Sequence, residues 1–176
     1  MTPTHSPGRL AIPSLPTVLD AFNSAPADEA RPLLLECLRS LRWAERVVAH
    51  RPYPTVDALL AAADEAAYDL TVSDLSEALA AETLPALPEG VYSAAHMAMD
   101  AAHAAYESRF GHAFVICLDG LPPNEALDHV LAGIRSRLTN DPEEERVVAA
   151  EELRRMARGR LVASLQGTGA IGRHGA

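Results

Sequence analysis

The 176-residue sequence contains no lysine: all 15 of its basic residues are arginine. That absence excludes a lysine Schiff base, a pyridoxal-phosphate anchor and the lysine of a phosphate-binding P-loop. Cysteine is scarce. Cys37 and Cys117 are far apart and no Cys-x-x-Cys occurs, which excludes zinc ribbons and thioredoxin-like redox centres. Both lie in apolar runs and read as buried, reduced thiols. Aromatic residues make up only 5% of the chain, and no apolar run approaches the ~18 residues of a membrane span. The first 16 residues hold four prolines and lack the apolar core of a secretion signal, so a cytoplasmic protein is expected. Positive charge is in deficit. A net charge of −9 disfavours nucleic acid and membranes as partners, while a local arginine still suits a small anionic substrate. A glycine-rich phosphate loop and a Gly-x-Ser-x-Gly elbow are also missing.

What the sequence does have is helical in pattern. Hydrophobic residues make up 48% of it, largely Ala, Leu and Val. Helices are expected at Leu15–Phe22, Asp28–Leu38, Ser40–His50 and Val56–Tyr68, the last capped by Thr55. Further helices are expected at Ser73–Ala81, starting with Ser73, and at Ser93–Phe110, closed by Gly111. Asn124–Leu138 and Pro142–Leu165 complete the set. Only Ala113–Leu118 has β-like composition. It is too short to build a sheet and reads as an extended buried connector. The expected fold class is all-α: a single-domain array of seven or eight helices over residues 15–165, with α+β as the runner-up. Residues 1–14 are expected to be disordered, and 166–176 to form a flexible Gly-rich tail.

Chemistry has few places to sit. His96, Asp100 and His103 fall at i, i+4 and i+7 on one helix face. His96 and His103 are then about 10.5 Å apart along the axis, too far for one ion to join all three, so no metal site is expected. Arg135 and Arg137 fall on different faces of one helix, so at most one points inward. An inward arginine is a good carboxylate receptor, while a solvated one would pair with Glu143, Glu144 or Glu145. The acidic run Glu143–Glu145 suits a helix N-terminus.

One stretch goes further. Tyr106-Glu107-Ser108-Arg109-Phe110-Gly111-His112-Ala113-Phe114-Val115-Ile116-Cys117 resembles a segment of the 2-oxo-4-hydroxy-4-carboxy-5-ureidoimidazoline (OHCU) decarboxylases. Gly120, Arg137-Leu138-x-Asn140, Glu145 and Arg160-Leu161 follow in the order seen in that family. Phe22-Asn23, Cys37-x-x-Ser40-x-x-Trp43 and Arg51-Pro52-Tyr53 precede it. The resemblance covers residues 15–165. It implies an all-helical, often dimeric carboxy-lyase of urate breakdown that yields (S)-allantoin and needs no metal or organic cofactor. Its substrate is a small anionic ureide.

The departures fall at the centre of the implied site. Glu82 stands where the family has a catalytic histidine, and His96 where it has a glutamate. Two readings stay open. Either the two residues have exchanged places and still supply an acid and a base, or the pair is lost and the protein binds a ureide or a partner without turnover. On the first reading, Glu82 and His96 are catalytic. Arg137 orients the substrate carboxylate, Ser93 assists by hydrogen bonding, and the backbone at Phe114, Val115 and Ile116 donates to the substrate's oxygens.

Overall fold

The structure, a computed structural model, describes residues 17–84 and 93–167, for Ser93 the backbone alone. It contains eight α-helices and one 3-10 turn, and no strand among the described residues. The helices are α1 (Val18–Ser24), α2 (Ala27–Cys37), α3 (Leu41–Ala49), α4 (Val56–Tyr68), α5 (Val72–Ala80), α6 (Ser93–Phe110), α7 (Ala126–Arg137) and α8 (Pro142–Gly167). The 3-10 turn, Pro123–Glu125, leads into α7. The all-α expectation therefore holds. The expected disorder at 1–14 and the tail beyond 167 lie outside the described residues.

Local chemistry sets most helix starts. Thr17, Ser40 and Thr55 each accept a hydrogen bond from the backbone N–H three residues on, which satisfies an otherwise orphaned donor. One expected start is corrected: Ser73 lies inside α5. Thr71 caps that helix, and Asp74 returns the bond to the Thr71 amide, completing a capping box. Gly111 ends α6 with φ +78°, a conformation that favours glycine, and its N–H reaches the Glu107 carbonyl at 2.8 Å.

Two apolar clusters hold the helices together. The larger gathers α1 to α5 around α8, with Leu34, Trp43, Leu59, Leu153 and Leu161 fully buried. The Trp43 indole N–H donates to the Ala63 carbonyl at 2.9 Å, which ties α3 to α4. Arg51 donates to the Phe22 and Ala25 carbonyls, and the Asn23 side chain bonds both backbone groups of Tyr53. The Phe22-Asn23 and Arg51-Pro52-Tyr53 motifs thus form the clasp between α1 and the end of α3. The smaller cluster joins α6 and α7 through Met99, Tyr106, Phe114, Ile116, Val130 and Ile134.

Residues 113–118 run between the clusters as extended chain. Successive side chains of such a chain point to opposite sides. Phe114 and Ile116 accordingly enter the α6–α7 cluster, while Val115 enters the α8 cluster. The β-like composition reflects this two-sided burial without any sheet. Gly133 in α7 makes room for it, since a Cβ there would come within 3.1 Å of both Phe114 and Ile116.

Candidate functional site

Four polar residues of the resemblance, Tyr106, Arg137, Asn140 and Glu145, form one network beside the connector. Arg137 on α7 donates through Nε to Glu145 Oε1 at 2.9 Å and through Nη2 to the same oxygen at 2.5 Å. Its Nη1 holds the Val115 carbonyl at 2.6 Å, and its guanidinium lies 4.4 Å over the Phe114 ring. The Tyr106 hydroxyl donates to Glu145 Oε1, and the Asn140 amide to Oε2 at 2.9 Å. Burial and the Glu145 carboxylate push the Tyr106 hydroxyl well above the usual phenol range. Arg137 is thus the inward arginine of the pair and Arg135 is exposed. The inward fork is occupied by Glu145, and Arg137 acts on the connector by holding the Val115 carbonyl. Glu145 is fully buried, whereas Glu143 and Glu144 remain at the exposed start of α8.

A different arginine faces open space. A cavity of about 370 Å³ lies between the end of α5, the connector and α8, lined by Glu82, Thr83, Leu84, Ile116, Leu118, Asp119, Met156 and Arg160. Glu82 sits just past the last residue of α5. Both its oxygens accept from Arg160, at 2.8 Å and 2.9 Å, the two-pronged geometry that a planar guanidinium favours. Arg160 Nη1 also reaches the Cys37 carbonyl at 3.1 Å. The hydrogen bonds it donates to Glu82 hold Arg160 above its ordinary value. The Glu82 side chain is only 8% exposed, against 38% for Arg160. The floor is apolar, formed by Leu84, Ile116, Leu118 and Met156. Such a setting strengthens any charged hydrogen bond made within it.

The remaining expected site residues are distributed unevenly. Ile116 lines the cavity, whereas Phe114 and Val115 are packed into the two cores. The Phe114 amide donates to His103 Nε2 at 3.1 Å, and the Cys117 amide to Glu152 at 2.7 Å. His96 is exposed on the first turns of α6 and is absent from the cavity lining. It lies one turn before Met99, which is buried in the cluster that also holds Ile116 and packs Leu84. The Ser93 side chain lies outside what is described. With its Nε2 occupied, His103 does not join His96 and Asp100 in a ligand set. No group of three or more His, Cys, Asp or Glu among the described residues is placed to hold a metal. Cys37 and Cys117 are buried free thiols, and burial raises both above the usual thiol range.

A larger open groove, about 790 Å³, lies on the other side of Asp119 and includes Arg154, Arg155 and Arg158. These arginines pair with Asp64, Glu151 and Glu152, which makes the groove a solvated ion-pair face. Sequence reasoning passed over Arg160 because it continues this arginine-rich run. The signal that sets it apart is the Arg160-Leu161 pair of the resemblance.

The fold and this cavity define a small all-helical protein with an arginine–carboxylate pair set against an apolar floor. The chain matches the OHCU decarboxylase family model over residues 23–89 and 86–162, and it belongs to the OHCU decarboxylase family. Among solved structures it is similar to an (S)-allantoin synthase, at 24% identity and TM-score 0.64, over 84% of this chain and 53% of that one. It is also similar to an OHCU decarboxylase determined in the presence of (S)-allantoin, at 19% identity and TM-score 0.65. That match covers 81% of this chain and 99% of the other. At these identities the likeness is one of fold. The chain spans about half the length of the allantoin synthase chain. No curated protein sequence matches it. No helix among the described residues is long and apolar enough to cross a membrane.

Proposed function

We propose that this protein is a carboxy-lyase of urate breakdown that acts on OHCU and yields (S)-allantoin. The observation that supports this best is the Glu82–Arg160 pair in a cavity floored by the connector, within a chain that matches the family over residues 23–89 and 86–162. In this reading Arg160 receives the substrate carboxylate and holds it for loss as CO2. Glu82 manages the substrate hydroxyl proton. His96 supplies the final proton to one face, and Ser93 assists by hydrogen bonding. The Ile116 backbone bounds the ring. Arg137 is a positioning residue that acts through the Val115 carbonyl. Independence from metal and organic cofactors and a homodimeric state are carried over from the resemblance as part of the proposal, and a cytoplasmic location is proposed on the two buried free thiols.

A positioned acid or base is typically worth about 10²–10⁴-fold in rate. Glu82→Gln and His96→Asn should therefore each lower kcat/KM by about that factor. The double variant should lose little more, because members of one catalytic unit are not additive. Full stereoselective turnover in both single variants would overturn the assignment.

One observation favours a second reading, a ureide-binding protein without turnover. Glu82 already fills the two prongs of Arg160 that a substrate carboxylate would use. A binder of this kind would leave OHCU to decay spontaneously to racemic allantoin.

A further inference from the structure

We infer that Glu82 is a built-in competitor for the carboxylate site, so that a ligand carboxylate takes the Nη1–Nη2 fork of Arg160 only by exchange with it. The inference rests on the proposal that this cavity is the ligand site. It concerns what the cavity admits, not whether turnover follows.

The pairing is two-pronged on both sides, with each Glu82 oxygen on its own Arg160 nitrogen. A carboxylate that takes the end-on fork of Arg160 needs the same two nitrogens, Nη1 and Nη2, that Glu82 holds. The partners are anchored unequally. Arg160 belongs to the 26-residue helix α8 and keeps its bond to Cys37 when Glu82 leaves. Glu82 lies beyond α5, the described residues Thr83 and Leu84 that follow it are not helical, and its amide bonds the Leu79 carbonyl at 3.2 Å. Exchange therefore moves Glu82 and leaves the arginine in place.

The charges facing the cavity point the same way. Glu82 and Asp119 carry two negative charges against the single positive charge of Arg160. With Glu82 in place, a free carboxylate meets a compensated arginine beside a second carboxylate. With Glu82 displaced, Arg160 is uncompensated at its prongs and Glu82 is free to act on the rest of the ligand. A tethered group competes as though present at a concentration on the order of millimolar or above. Simple monocarboxylates are thereby excluded. A ligand succeeds only when a further part of it, such as a ureide, adds binding energy against the apolar floor.

The test uses acetate as the carboxylate and acetamide as its neutral isostere. Binding is followed by the Arg160 Nε–H resonance at constant ionic strength. Acetate should bind Glu82→Ala at least about tenfold more tightly than the wild type, with a smaller gain for Glu82→Gln, whose amide oxygen still accepts one bond. Acetamide should bind all three alike. Adding Arg160→Lys to Glu82→Ala keeps the charge, removes the fork and should abolish the gain. Equal acetate affinity in the wild type and both Glu82 variants overturns the inference, as does a gain that survives loss of the fork. Because the readout is binding alone, a protein without turnover can still show the exchange. An active enzyme with unchanged acetate affinity would refute the exchange alone.

Discussion

At the scale of single residues, the fully buried carboxylate of Glu145 organises much of the molecule's polar interior. It accepts from Arg137, Tyr106 and Asn140, and through Arg137 it fixes the Val115 carbonyl. Removing one partner of a buried ion pair strands the other, typically at a cost of about 3–5 kcal/mol. Glu145→Ala should therefore destabilise the fold by roughly that amount in urea denaturation. The double replacement Arg137→Met with Glu145→Leu should cost less than the sum of the two single changes. A loss below about 1 kcal/mol for Glu145→Ala would show that the network is not coupled to stability. This residue also marks a limit of the sequence. Helical phase shows only that at most one of Arg135 and Arg137 turns inward. It does not show that the third acid of the Glu143–Glu145 run follows it inside. The chain between α7 and α8 brings Glu145 back onto the Arg137 fork, where the pair clamps the Val115 carbonyl.

At the scale of elements, caps and the connector account for most of what was legible. Thr55 was readable as the cap of α4 because a threonine directly precedes an apolar periodic run. Its hydroxyl accepts from the Ala58 amide at 3.1 Å. Thr55→Ala should lower stability by about 1 kcal/mol, seen as a shift in denaturation midpoint without a change in slope. The start of α5 was misplaced at Ser73, although the Thr71-x-x-Asp74 spacing carries the capping box. The hydroxyl and amide of Thr71 hold the Asp74 carboxyl below its ordinary value. A carboxyl depressed on folding adds stability above the ordinary carboxylate range, and that contribution fades as pH falls through its folded-state value. Asp74→Asn should thus narrow the difference in stability between neutral and acid pH. An unchanged pH profile would remove Asp74 from the account. The connector was legible as extended and buried, since six consecutive largely apolar residues without turn signals fit nothing else. Its alternation between two cores was not legible, because it depends on helices far away in sequence.

At the scale of the whole molecule, α8 carries both the structural and the chemical argument. Its buried face anchors the larger cluster, its start supplies Glu145, and Arg160 sits on its wall of the cavity. The resemblance motifs divide along the same line. Phe22-Asn23, Arg51-Pro52-Tyr53, Trp43, Tyr106, Arg137, Asn140 and Glu145 build the scaffold, and Arg160 faces the cavity. With these motifs assembled as a scaffold, the chemistry proposed for Glu82 and His96 is the open variable, and product handedness reads that chemistry directly. The decisive measurement generates fresh OHCU from urate with urate oxidase and hydroxyisourate hydrolase, adds this protein and follows circular dichroism of the allantoin formed. The account predicts a rapid optical signal of the (S) enantiomer, lost in Arg160→Gln. Racemic allantoin formed at the spontaneous rate, with or without the protein, would contradict it.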